Sequence, residues 1–104
     1  WDTFLNGGDG ESYTSNNSVK LNTWNHGCVT YGNDGDRILH MYVNGISDSV
    51  NTIAVTTTLH DTNGIGLTIG RVSTYEWDGK IDDVRVYNYE LSTDEVKRLY
   101  NIGR

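Results

Sequence analysis

Two adjacent carboxylates, Asp82 and Asp83, stand within an alternating run of residues that is typical of a β-strand. Neighbouring negative charges repel each other, and a hard cation such as calcium, which takes oxygen ligands, would relieve that repulsion. In the alternative interpretation, one carboxylate accepts backbone hydrogen bonds and the other is solvated. Asp82 and Asp83 are therefore candidate metal ligands, with calcium as the candidate cofactor.

The residue types that usually carry catalysis lack the required spacing in this chain. His26, His40 and His60 show no pair four residues apart and no zinc-protease motif. The serines lie outside any Gly-x-Ser-x-Gly sequence. Cys28 is the single cysteine, and its neighbours Gly27 and Val29 favour a small core residue over a reactive thiol. We predict no catalytic residues and no enzyme activity.

Aromatic and polar side chains suggest glycan binding instead. Sugar recognition uses aromatic platforms flanked by hydrogen-bonding groups, although β-sandwich cores also use aromatic residues freely. The sequence has seven tyrosines and three tryptophans, a high content for a small domain. The predicted ligand-binding residues are three aromatic and three polar ones: Tyr42, Tyr75, Trp77, His40, Asn44 and Arg71.

Charge and hydropathy narrow the choice of partners. The chain carries a net charge of −6, and its basic residues are scattered. Such a surface repels phosphate backbones and anionic lipids, so nucleic acid is excluded as a partner. No apolar run approaches the roughly 20 residues that span a bilayer, so membrane insertion is excluded too. The remaining candidates are a glycan or a neighbouring protein chain.

The elements that must position these residues are mostly short strands. Turn-forming pairs such as Asn44-Gly45 punctuate alternating apolar runs, a pattern of antiparallel sandwiches and barrels. In the clearest strand, Leu39, Met41 and Val43 share one face, which we expect to be buried. The predicted strands cover residues 2–6, 11–14, 18–21, 25–32, 36–44, 49–57, 66–71 and 79–88.

One helix is predicted near the C-terminus. Ser92 is its expected N-cap, Glu95 completes a capping box, and Leu91 and Val96 flank it as a hydrophobic staple. Lys97 and Arg98 are placed in the last turn, and Gly103 ends the helix.

Three segments together resemble laminin-G-like domains of the concanavalin A-like lectin/glucanase superfamily. Residues 24–31, WNHGCVTY, are similar to the family's W-x-H-V-A-x-T-Y strand, and residues 39–45, LHMYVNG, to its L-x-L-Y-V-N-G. The run GKIDDVRVYN at 79–88, followed by Leu91-Ser92, resembles the closing G-x-I-D-D-V-R-I-Y-N motif. Between them, residues 67–70 match L-x-I-G, so the resemblance covers about residues 24–102.

The resemblance implies an all-β fold, an antiparallel jelly-roll β-sandwich with one short C-terminal helix. Residues 1–104 then form a single domain whose N-terminal strands are missing or compressed into residues 1–23. It also implies calcium at the D-D positions, Asp82 and Asp83. Related glycosidases carry Glu-x-Asp-x-x-Glu, but here the run from Glu76 ends on Ile81, so the second catalytic carboxylate is absent.

Two functions from different classes follow. The first is a non-catalytic carbohydrate-binding or adhesion module of a secreted or surface protein. The second is a structural interaction domain of a larger assembly, such as a virion, tail or surface component, in which a sheet edge pairs with another chain or a second copy. Both place the protein outside the cell or on a surface.

Overall fold

The computed structural model of the protein describes residues 2–4, 11–14, 18–32, 34–50, 54, 68–72 and 74–103. Within these ranges the chain forms short strands and one C-terminal helix. The strands are β1 Asp2–Phe4, β2 Glu11–Thr14, β3 Gly27–Tyr31, β4 Leu39–Val43, β5 Ile46–Ser47, β6 Ser49–Val50, β7 Arg71–Val72 and β8 Tyr75–Glu76, and the helix is α1, Thr93–Ile102.

All strand pairs in the described ranges are antiparallel. The described strands form three sheets, with the orders β1-β2-β6, β3-β4-β5 and β7-β8. Cα atoms of β4 come within 8 Å of those of β2 and β6, so the first two sheets are neighbours. Residues 44–45 make the two-residue hairpin loop between β4 and β5, and both have positive φ, of 52° and 76°. This is the turn predicted from Asn44-Gly45, because both positions of such a loop require φ above zero.

The core is centred on β4. Leu39, Met41 and Val43 are all buried, which confirms the predicted inner face, and Met41 has no exposed surface at all. Tyr42, on the other face, is also buried, because α1 covers that face. Side chains on both faces of β4 are therefore buried, and the helix packs on the face that carries Tyr42.

Helix α1 begins as predicted. Ser92 Oγ accepts a hydrogen bond from Glu95 N (3.2 Å), and Ser92 N donates to Glu95 Oε2 (2.8 Å), which completes the capping box. Leu91 and Val96 pack in one cluster with Tyr42, so the staple contributes to the core. The helix runs to Ile102, so Lys97 and Arg98 lie before its last turn, and the prediction that placed them in the last turn is wrong.

Cys28 is half-buried in β3 and packs against the same cluster, as predicted for a core residue. Burial raises the pKa of its thiol, because the charged thiolate is disfavoured away from water. The raised pKa keeps the thiol protonated near neutral pH.

Two predicted strands are wrong. Residues 18–21 form bends and a turn, and residues 79–88 form no strand although they alternate well. Asp83 has a φ of 52°, a left-handed conformation that interrupts extended backbone. A strand also needs a pairing partner, and the described residues supply none for 79–88.

Of the other predicted strands, 11–14 is confirmed with the same bounds as β2, and two are shorter in the structure. Residues 25–32 and 36–44 reduce to β3 and β4, and β5 and β8 were not predicted. Parts of three predicted strands, at 5–6, 51–53 with 55–57, and 66–67, lie outside the described residues.

Candidate functional site

The predicted ligand-binding residues fall on three parts of the chain. His40 and Tyr42 lie on β4, Asn44 lies in the following turn, and the other three lie on or directly after the β7–β8 hairpin. His40 and Tyr42 share one face of β4, because side chains two residues apart point the same way. Ser47, opposite Tyr42 in the register, shares that face.

An open cleft lies on this face, between β4, β5 and the start of α1. We call it the β4–α1 cleft. It has a volume of about 480 Å³ and is lined by His40, Tyr42, Ser47, Glu90, Leu91, Ser92 and Thr93. Residues 90–93 reach it because the capping box and the staple hold the helix start against β4. The sequence analysis found two of these seven residues as ligand candidates. Among the others, Leu91 and Ser92 had been marked only as the start of the helix, and no motif marks Ser47, Glu90 or Thr93.

The polar side of the cleft is built around His40 and Asp36. His40 Nε2 donates to Asp36 Oδ2 over 2.7 Å, and Ile38 N donates to Asp36 Oδ1 over 3.0 Å. The bond from Ile38 N and then the bond from His40 lower the pKa of Asp36, because both stabilise the carboxylate. Asp36 is therefore ionised near neutral pH and orients the His40 ring.

Glu90 brings a second carboxylate to the same region. A Cβ at Gly32 would overlap the Glu90 carboxylate, and one at Gly35 would lie 3.8 Å from Glu90 Oε2. The carboxylate therefore lies against the β3–β4 loop, close to the segment that carries Asp36. Gly32 permits this approach because it has no side chain.

Tyr42 forms the floor of the cleft. It is only 5% exposed, and its hydroxyl shares a 3.3 Å hydrogen bond with Thr93 Oγ1. A buried ring cannot offer a stacking face to a sugar, so its contribution to the cleft is shape rather than a platform.

The Asn44 side chain makes hydrogen bonds that join its own turn to the segment before β3. Its Oδ1 accepts a hydrogen bond from His26 N over 2.9 Å, and its Nδ2 donates to Asn25 Oδ1 over 3.3 Å. Both ends of the side-chain amide are therefore used within the loops, and Asn44 holds the segment before β3 against the end of β4.

The β7–β8 hairpin presents exposed aromatic rings. Tyr75 is 78% exposed and Trp77 is 59% exposed. Arg71 Nε lies 3.9 Å from Glu76 Oε1 across the hairpin, and both side chains are largely exposed. Trp77 N donates to Gly70 O over 2.7 Å and extends the ladder by one bond. This hairpin is the second place where predicted ligand residues come together.

Asp82 and Asp83 are engaged locally. Asp82 Oδ1 accepts a hydrogen bond from Asp83 N over 2.8 Å. The two oxygens of Asp83 pair with the Arg85 guanidinium, at 2.9 Å to Nε and 3.0 Å to Nη2. Among the residues that the structure describes, no three His, Cys, Asp or Glu side chains group in a way that could hold a metal ion. Calcium at these two aspartates stays a prediction.

A laminin-G family profile, described as the Concanavalin A-like lectin/glucanases superfamily, matches residues 1–97. The chain belongs to this superfamily. The match confirms the resemblance on which the fold expectation rested, and it agrees with the strands and the single C-terminal helix of the described ranges. The jelly-roll arrangement of those strands stays a prediction.

A solved structure is similar over most of the chain. It contains residues 221–444 of an S-layer domain-containing protein from Clostridium thermocellum, with a TM-score of 0.62 and 25% sequence identity. The similarity covers 86% of this chain and 43% of that structure, so the chain spans less than half the length of the structure it matches. No curated protein matches the chain. Within the described ranges, no helix is both long and apolar enough to cross a membrane.

Proposed function

We propose that the protein is a non-catalytic carbohydrate-binding or adhesion module of a secreted or surface protein. The β4–α1 cleft is the observation that carries this proposal. Its side chains offer hydroxyl, imidazole and carboxylate groups, from Ser47, Thr93, His40 and Glu90, above the buried ring of Tyr42. Sugars are recognised by hydrogen bonds to such groups, combined with apolar contact.

The composition of the cleft favours binding over hydrolysis. Glycoside hydrolysis uses two carboxyl groups that flank the scissile bond. Glu90 is the one carboxylate among the seven residues that line the cleft, and Asp36 beside it is occupied by His40. Glu76, the first residue of the glycosidase-like run, lies on β8 and pairs with Arg71 instead. The absence of enzyme activity accordingly stays a prediction.

A surface location fits membership of a lectin-like superfamily. The structural neighbour is an S-layer domain-containing protein, which supports placing this chain in a secreted or surface-associated protein as well. In such a setting a small glycan-binding module would work beside other domains. A jelly-roll sandwich that presents the cleft at one face is the architecture we propose for it.

The test is titration of the 104-residue chain with two neutral glucan hexasaccharides, laminarihexaose and cellohexaose, followed by NMR chemical shifts. We expect shifts at residues that line the cleft. His40→Ala and Glu90→Ala should each weaken binding roughly 3- to 10-fold, since a typical hydrogen bond is worth about 0.5–1.5 kcal/mol. Lys97→Ala, on the exposed side of α1, is the matched control and should bind normally. No binding of either glucan, or equal binding by all three variants, would contradict the cleft as a glycan site.

The β7–β8 hairpin provides the internal comparison. If sugars stack on exposed rings rather than enter the cleft, Trp77→Ala abolishes binding and His40→Ala does not. Trp77 is one of three tryptophans, so loss of the ligand-induced fluorescence change in Trp77→Ala would identify this site. We expect Trp77→Ala to retain binding, because Trp77 is not among the residues that line the β4–α1 cleft.

A second function has separate support. Residues 79–88 carry a strand pattern but form no strand, and their apolar side chains are exposed. Unpaired strand-like backbone is a template for another chain. We therefore also propose that the module takes part in protein assembly through this segment, independently of the cleft.

A further inference from the structure

Residues 79–88 expose an unusual amount of apolar surface. The described side chains of Ile81, Val84, Val86 and Tyr87 are 47%, 53%, 81% and 37% exposed, respectively. Within the described part of the chain, no backbone hydrogen bond joins this segment to a strand, and its backbone makes one bond, from Asp83 N to the Asp82 side chain. A segment of this composition normally buries one face and pairs its backbone.

Polar contacts within the segment accompany its kink at Asp83, and the Ile81 side chain also lies against Gly70, where a Cβ would come within 2.8 Å of Ile81 Cδ1. Asp83 adopts a left-handed φ of 52°, which an aspartate tolerates but which costs conformational energy. The ion pair of Asp83 with Arg85 accompanies this kink, and both side chains are about half exposed. Exposed ion pairs contribute little to stability, so a pairing strand could replace this arrangement at small cost.

The order of charges in the segment is self-complementary. When two copies run antiparallel with Val84 opposite Val84, Asp83 of one copy faces Arg85 of the other, and the reverse pair forms across the twofold axis. In the same register Ile81 lies opposite Tyr87 of the second copy, on the face that carries the charge pairs. Opposite charges and aromatic–β-branched pairs are both favourable directly across an antiparallel pair.

Other registers lose this match. A shift of the register by two residues places Asp83 opposite Asp83 or Arg85 opposite Arg85, and like charges directly opposite are destabilising. A shift by one residue places Asp83 opposite a valine in either direction, and in one of the two directions it brings Asp82 opposite Arg85. The charge pattern therefore disfavours the two-residue shifts, and only the register centred on Val84 pairs Asp83 with Arg85.

We propose that two copies of this chain associate antiparallel through residues 81–87, with Val84 opposite Val84 and two reciprocal Asp83–Arg85 pairs. This inference rests on the second proposed function and identifies the partner as another copy of the chain. The segment straightens on pairing, and each internal Asp83–Arg85 pair is exchanged for an intermolecular one. A two-stranded contact of this size is weak by itself, so dimers form only at high concentration.

The test uses charge reversal in the full 104-residue chain, with sedimentation velocity over a wide concentration range. The wild-type chain should dimerise as concentration rises. Asp83→Arg places arginine at both positions and Arg85→Asp places aspartate at both, so each variant alone should stay monomeric. An equimolar mixture should form heterodimers, because every cross-strand charge pair is then restored. Circular dichroism of each variant verifies that α1 is intact.

Hydrogen exchange adds a local readout. On dimerisation the amides of residues 81–87 should gain protection in the wild-type chain and in the mixture. A wild-type monomer at every concentration overturns the proposal, as does a mixture that behaves like its components. Protection of 81–87 by a different polypeptide, without dimers, would overturn the second copy as partner while leaving the assembly function standing. His40→Ala should dimerise normally, which separates this result from the outcome at the cleft.

Discussion

Strand β4 and the 79–88 segment have similar alternating sequence patterns but differ in structure. Both alternate apolar and polar residues, and each is followed within a few residues by a turn or helix. β4 pairs with β3 on one side and β5 on the other, and its apolar residues are buried. The 79–88 segment pairs with nothing in the described ranges, and its apolar residues are exposed. Alternation therefore specifies which residues share a face, whereas burial of that face requires another element that packs against it.

The largest expected effect comes from placing a charge in each region. Met41→Asp should abolish folding, because an unpaired carboxylate in a fully buried site costs several kcal/mol, comparable to the stability of a small domain. Val84→Asp should be tolerated, because Val84 is exposed in the single chain. Soluble expression and thermal unfolding of the two variants measure both effects.

The outer face of β4 supplies the matched control for Met41. His40→Asp should fold, since His40 is partly exposed and lies next to Met41. A folded Met41→Asp variant, or an unfolded Val84→Asp variant, would reverse the comparison between the two regions.

A smaller effect is expected at the start of α1, which covers β4. Ser92→Ala removes the oxygen that accepts from Glu95 N and should lower the free energy of unfolding by about 1 kcal/mol. Ser47→Ala, on the exposed strand β5, should change it little. Chemical denaturation of the two variants decides the point, and equal midpoints would mean that the cap contributes nothing to stability.

The smallest effect is a pH dependence of stability that arises at His26, whose pKa is affected by two charged residues of the 79–88 segment. Burial lowers the pKa of His26 below its ordinary value of 6.5, the Asp83 charge raises it and the Arg85 charge lowers it further. The unfolded chain therefore binds more protons just below pH 6.5, and stability should decline as pH falls through that range. Melting temperatures from pH 7 to about pH 5 should show this decline, and His26→Gln should reduce it.

His40→Gln is the control for the pH experiment, and it should retain the part of the decline that His26 causes. Asp36, whose pKa is lowered, loses its stabilising charge only as pH falls below 3.8, outside this window. A melting temperature that is flat with pH in the wild-type chain would show that His26 is not held in its neutral form.

Local patterns predicted the parts of the molecule that local physics determines. The Asn44-Gly45 turn follows from the positive φ that a two-residue hairpin demands, and the capping box at Ser92 follows from side chains three residues apart. The buried face of Leu39, Met41 and Val43 follows from the two-residue period of a strand. Among the residues that line the cleft, sequence patterns predicted only His40 and Tyr42 as ligand-binding residues.

Only the tertiary structure decided the rest, because it depends on contacts between residues far apart in the chain. It placed Glu90 and Thr93 beside β4, and it buried Tyr42, which the sequence analysis had named as a ligand-binding residue. It also left residues 79–88 unpaired, since a strand forms only where another backbone supplies donors and acceptors, and no local sequence encodes that partner.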